Sequence, residues 1–173
     1  MPDFALELSF DAASEAAVIT QWEALRAAGL PSQADHKSMT NAPHVTLVAA
    51  RELSPELAHV ATAAITLPST LVVRGLVLFG EGTRVTVAHL VEPDSTLATA
   101  VAGLRERVPD LRHPVWTPHV TLARRVPRPL LAKVLAVLDE HPAPTTLTCT
   151  RLRWWNPITR EIDELVRSGW MLS

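Results

Sequence analysis

Pro43-His44-Val45-Thr46-Leu47 recurs, residue for residue, as Pro118-His119-Val120-Thr121-Leu122. In an extended strand successive side chains alternate between faces, so His44 and Thr46 share one face while Val45 and Leu47 share the other. His119 and Thr121 stand in the same relation. Each copy therefore offers an imidazole beside a hydroxyl on one side and an apolar pair for a core on the other. If the copies belong to two halves of a duplication, an approximate two-fold axis brings both pairs to one cleft. Two imidazoles and two hydroxyls around one group suit a phosphate held between a base and an acid.

Working outward from the first copy, Phe4 to Phe10 alternates as a strand. Ala13 to Ala28 reads as a helix with apolar Ala17, Val18, Trp22 and Leu25, closed by Gly29. A polar loop, Pro31 to Ala42, leads into the motif strand His44 to Ala50. Ser54-Pro55 then opens a helix over Glu56 to Ile65, because Ser caps a helix and Pro fits its first turn. Leu71 to Phe79 returns as a strand. After Gly80-Glu81-Gly82 the order begins again: strand Arg84 to Val91, helix Ser95 to Arg107, loop Val108 to Pro118, motif strand His119 to Val126, helix Leu130 to Glu140 and strand Thr146 to Trp154. A last strand-like segment, Ile162 to Met171, has no counterpart in the first half. The repeated order is independent of the pentapeptide identity, and together they indicate a duplicated α+β domain. A single domain over 1–173 is expected, with two pseudo-repeats at about 1–80 and 83–173.

Composition sets the outer limits. At 173 residues and 47% hydrophobic the chain can bury one good core, or two small lobes sharing one. The net charge of −2 and the lack of any Lys/Arg run argue against tight non-specific nucleic-acid binding. A nucleic-acid substrate is expected to be small or held by its end. No stretch approaches ~18 uninterrupted apolar residues, and Met1 to Phe10 lacks an export signal's pattern. No membrane association is expected, and a monomer is. The single cysteine, Cys149, makes no internal disulfide, reads as a small buried apolar group, and leaves a reducing cytoplasm as the default location.

Two histidines on either side of a phosphodiester can divide the proton work. A neutral imidazole takes a proton from water and an imidazolium gives one to the leaving oxygen. An unperturbed pKa of ~6.5 lets both forms coexist near neutrality. Thr46 and Thr121 can donate to non-bridging oxygens, where charge builds in the transition state. A cyclic phosphate is especially apt, since ring strain lowers its barrier and its leaving alkoxide stays tethered. This chemistry calls for no metal and no cofactor.

The doubled His-Val-Thr-Leu, in a chain of this size and order, resembles the 2H phosphoesterase superfamily, specifically its bacterial branch named for 2′-5′ RNA ligase. The resemblance implies an α+β, bilobal, duplicated fold, with two pseudo-two-fold-related sheets, outer helices and a central cleft. It implies hydrolysis of 2′,3′-cyclic phosphates of nucleotides or RNA 3′ ends to 2′-phosphates. Carried over by position, His44 and His119 are the catalytic pair, Thr46 and Thr121 hold the phosphate, and Arg124 falls where members often carry an arginine. Strict pleating, however, puts Arg125 on the face of His119 and Thr121, so Arg124 reaches the phosphate only if the strand bends or ends. The first motif continues as Val48-Ala49-Ala50, not the Phe-Leu-Gly common in the ligase branch.

Other readings stand beside this one. A single strand histidine between Val and Leu is ordinarily structural; it is the pair that points to function. His36, Lys37 and Asn41, and His113 and Trp116, precede the two motifs and could line the cleft, although Trp116 reads first as packing against its loop. Of Trp154 and Trp155, one belongs to the core. His59, His89 and His141 read as surface or helix-end residues. The competing functions are reversible 2′-5′ RNA ligation, for which a weakly acidic chain is poorly charged, a non-catalytic nucleotide or RNA-end sensor, and a histidine metal site, which gives the threonines no reason.

Overall fold

The computed structural model describes residues 3–169. Seven strands and four helices follow in the order β1 (Phe4–Phe10), α1 (Ala12–Ala27), β2 (His44–Ala50), α2 (Pro55–Ala64), β3 (Ser69–Phe79), β4 (Arg84–Pro93), α3 (Ser95–Arg105), β5 (His119–Pro127), α4 (Leu131–Glu140), β6 (Thr146–Asn156) and β7 (Glu161–Arg167). Short 3₁₀ turns lie at Gln33–Asp35 and Arg128–Leu130. The expected segment Ile162 to Met171 is β7, and its last residues fall outside those described.

Local chemistry sets most boundaries. Asp11, Ser54 and Asp94 each place a side-chain oxygen on an N–H of the first turn, at Ser14, Leu57 and Leu97. Each such cap contributes about 1 kcal/mol. Helix α1 ends where Gly29, at φ +70°, lets its own N–H reach Arg26 O and the Leu30 N–H reach Leu25 O. Helix α3 stops at Arg105, two residues before the expected end. Arg107 and Val108 there turn back in tighter bonds to Leu104 and Arg105, and Pro109 lacks the N–H to continue.

All pairings are antiparallel, in the order β2-β1-β6-β3-β4-β5, with β7 also on β6. Matching β1, β2 and β3 with β4, β5 and β6 makes this order read the same from either end. Each half gives its third strand to the other half: β6 lies beside β1, and β3 beside β4. The two expected sheets thus join through the ladder of Ser69–Val72 on Thr146–Cys149. One core follows. Leu6, Leu8 and Phe10 of β1, Val45 and Leu47 of β2, and Val120 and Leu122 of β5 pack with Val18, Trp22 and Leu25 of α1, Val101 and Leu104 of α3 and Val134 of α4. Trp154 is the core tryptophan of its pair, and Cys149 is buried in the same cluster, its thiol pushed up to about 12 mainly by burial. Among the described residues no helix is long and apolar enough to cross a membrane.

His89 departs from the sequence expectation. It is 3% exposed, opposite Val120 on the core face of β4, not at the surface. Gln21 of α1 donates to His141 O at 2.8 Å, so its Oε1 faces His89 Nε2 at 2.7 Å and must accept from it. His89 Nδ1 has no partner. Burial depresses the imidazole pKa to about 4. A group held neutral when folded contributes stability above its unfolded value of ~6.5, and this is lost as pH falls toward 4; a shift of this size is worth about 3 kcal/mol. Denaturant unfolding at pH ~7 and ~4.5 is expected to show that loss, and His89→Gln, which can still donate to Gln21, to remove most of it.

Candidate active site

Both motif strands carry the same irregularity. Glu7 of β1 lies opposite Thr46 and Leu6 opposite Val48, leaving Leu47 as an extra residue; Ala88 of β4 lies opposite Thr121 and Val87 opposite Ala123, leaving Leu122 extra. A bulge of this kind shifts the alternation by one. Leu47 and Val48 are accordingly both buried, as are Leu122 and Ala123, and Arg124 returns to the face of Thr121. This is the bend that strict pleating left open. Arg125 falls in a second irregularity at φ +57°, where its carbonyl accepts from Arg84 Nη1 at 3.3 Å.

Side chains from distant elements fasten the bulges. Trp22 of α1 donates to Thr121 O, and Arg105 of α3 to Leu47 O, both at 3.0 Å. Arg105 also bonds the carbonyls of His113 and Pro114 in the loop before the second motif. Trp116 of that loop packs on the core and donates to Thr46 O at 3.0 Å. Although β2 and β5 are the two ends of the sheet order, they approach within 8 Å between Cα atoms. The sheet therefore curls until its end strands face each other.

His44 Nδ1 lies 2.7 Å from Ala42 O, and His119 Nδ1 lies 2.7 Å from Thr117 O. A carbonyl only accepts, so each Nδ1 carries a hydrogen and each Nε2 is left to take or give a proton in the cleft. Neither Thr46 nor Thr121 hydroxyl is bonded to a protein group among the described residues, and both side chains are half-buried. His119 has its pKa lowered, chiefly by burial, and also by the charges of His44, His113 and Arg124, against the raising effect of its bond to Thr117. The Phe79 ring lies 4.6 Å from the His119 ring, supplying part of that apolar cover.

The structure places His44 and Thr46 on β2 and His119, Thr121 and Arg124 on β5, the two end strands that approach each other. Of the loop residues, Asn41 is committed to Gln33 O and His36 O as an internal tie, while His36 and Lys37 are exposed. Two neighbours were not singled out from sequence. Glu7 places Oε1 3.5 Å from His44 Nε2, and Arg153 of β6 donates to its Oε2 at 2.9 Å. The available signal was a carboxylate in the middle of an apolar strand, where an unpaired charge is not tolerated. A cavity of about 1270 Å³ lies elsewhere, between the start of α2 and the loop after α3, lined by Arg51, Glu56, Arg107 and Asp110 among others. It touches neither motif, so the convergence of reactive groups marks the site better than volume does. Among the described residues no three His, Cys, Asp or Glu side chains cluster as metal ligands would.

The family description 2′-5′ RNA ligase superfamily matches residues 11–159. No curated protein matches the sequence. Among solved structures, Kluyveromyces marxianus Usb1 is similar at TM-score 0.60 and 13% identity, over 95% of this chain and 98% of that one. Escherichia coli LigT complexed with 3′-AMP is similar at TM-score 0.56 and 17% identity, over 94% and 93%. Usb1 with uridine monophosphate gives TM-score 0.55 and 13% identity, over 95% and 97%. At these identities the likeness is one of fold.

Because Arg124 is one of the charges lowering His119, Arg124→Ala is expected to raise the pH at which His119 titrates, followed by imidazole NMR resonances. Burial remains the largest cause, so His119 is expected to stay below the ordinary histidine value.

Proposed function

The chain belongs to the 2′-5′ RNA ligase superfamily, and we propose that it is a cyclic phosphodiesterase opening 2′,3′-cyclic phosphates of nucleotides or RNA ends to 2′-phosphates. The observation that best supports this reading is the matched pair of imidazoles, each with Nδ1 tied to the carbonyl two residues upstream and followed two residues on by a threonine whose hydroxyl bonds no protein group among the described residues. The solved relatives with 3′-AMP and uridine monophosphate agree with a nucleotide-sized ligand.

In the reaction one neutral imidazole accepts a proton from water as the water oxygen bonds to phosphorus. The other imidazole, protonated, delivers its proton to the ribose O3′ as the P–O3′ bond breaks. Thr46 and Thr121 donate to the non-bridging oxygens, and Arg124 supplies positive charge from the second motif strand. The two proton transfers balance, and solvent exchange returns the site to its starting state. None of these steps is routed through a metal.

Incubation of the protein, with chelator present, with each of the four 2′,3′-cyclic mononucleotides and an RNA ending in a cyclic phosphate is expected to yield 2′-phosphates. His44→Ala and His119→Ala are each expected to lower kcat/KM by about 10²- to 10⁴-fold with the fold intact. Thr46→Val and Thr121→Val are expected to cost about 10²-fold. Activity that survives either histidine substitution, or that disappears with chelator, refutes the reading.

A further inference from the structure

The two imidazoles are equivalent by motif but not by surroundings. On β1, Glu7 lies opposite Thr46, with its Oε1 3.5 Å from His44 Nε2; on β6, Arg153 lies opposite Glu7 and holds its other oxygen at 2.9 Å. Both side chains of this pair are only 10% exposed. In the second half the residue opposite Thr121 is Ala88, and the residue opposite Ala88 on β3 is Val77. No charge stands there, and His119 has the Phe79 ring beside it instead.

A carboxylate facing an imidazole nitrogen favours that nitrogen's protonated form, and a guanidinium on the far oxygen keeps the carboxylate ionised and fixed. The nitrogen concerned is the one with chemical freedom, since His44 Nδ1 is already committed to Ala42 O. The other titratable groups gathered here, His119 and Arg124 on β5 and His113 before it, are cationic when charged. They act in the opposite sense on an imidazolium. Among the described residues Glu7 is thus the anion that faces His44.

We propose that Glu7, fixed by Arg153, is a positioning residue that keeps the reacting proton on Nε2 of His44, so that His44 acts as the acid and His119 as the base. The assignment rests on the cyclic phosphodiesterase reading of the site. Water gives its proton to His119 Nε2 while its oxygen bonds to phosphorus; His44 Nε2 gives its proton to the departing ribose oxygen as the ring P–O bond breaks. At 3.5 Å the Glu7 contact is longer than a normal hydrogen bond, so it orients the proton without holding it from the substrate. The depressed basicity of His119 agrees with this division, because a neutral imidazole is the form a base requires.

The test compares wild type, Glu7→Gln, and Glu7→Gln combined with Arg153→Met on a 2′,3′-cyclic phosphate and on a p-nitrophenyl phosphodiester, whose leaving group needs no proton. The double variant removes the buried pair as a unit and guards against misfolding from a stranded arginine. In both variants kcat on the cyclic phosphate is expected to fall with KM little changed, and the penalty to shrink on the p-nitrophenyl substrate. An unchanged kcat on the cyclic phosphate overturns the proposal, and so does a penalty equal for both substrates. If wild type turns over no cyclic phosphate, the reaction assignment fails, while the orientation of the His44 ring in crystals of the variants still decides whether Glu7 positions it.

Discussion

The short ladder between β3 and β6 is the constraint from which the shared core of the described residues and the approach of the two motif strands follow. Only Ser69–Val72 and Thr146–Cys149 take part. Yet each of these strands continues beyond the ladder into the sheet of the other half: β6 runs on along β1, and β3 along β4. Neither half can complete its sheet without the other's third strand. Leu71 and Leu147, paired across the junction, are buried at 1% and 0% exposure, so the crossing point is core and not a hinge. With the middle of the sheet fixed, its right-handed twist carries β2 and β5 round until they face each other. The cleft is a product of that closure.

The two motif strands depart from regular strand geometry at matching places. A strand without the bulges at Leu47 and Leu122 would turn Val48 and Ala123 toward the cleft and Arg124 into the core. The bulge reverses this, but interrupts the ladder and exposes carbonyls that need donors. Trp22 and Trp116 supply them at Thr121 and Thr46, and Arg105 at Leu47. Because these donors come from a different part of the chain than the strand they serve, the same bonds that satisfy the bulges also hold the two motifs in register. The histidine tautomers are set in an equally local way, by the carbonyl two residues upstream of each ring. The proline before each histidine has no N–H, so that turn of backbone offers a carbonyl without a competing donor.

How much of this was legible in the sequence can be judged from particular residues. The motif strands, the caps at Ser54 and Asp11, and the closing Gly29 were readable because each depends on interactions within a few residues. The alternation of half-buried His44 and Thr46 with buried Val45 and Leu47, and its repeat at His119 to Leu122, followed from the period of a strand. Arg124 was legible only through family resemblance, since a bulge is set by pairing with a distant strand and leaves no mark in the local pattern. His89 was misread as a surface residue for a related reason. Its burial is made tolerable by Gln21, a polar residue on a helix in the other half of the chain, and nothing in the spacing joins the two. Glu7 gave a sign, a carboxylate between Leu6 and Leu8, whose meaning depended on Arg153 at the far end of the sequence.

The pair Glu7–Arg153 also bears on why two copies of one motif need unequal settings. Acid and base roles demand opposite protonation states at one pH. Two equivalent imidazoles close enough to repel each other can share one proton, but either ring can hold it, and unequal surroundings decide which. Here one ring is drawn into apolar cover beside Phe79 with Arg124 and His113 near it, and the other faces a buried carboxylate. The backbone can remain close to two-fold because the asymmetry is carried by side chains at matching positions, Glu7 against Ala88 and Arg153 against Val77. The differences at those two positions give the two histidines unlike neighbours without altering either motif or the strands that present it.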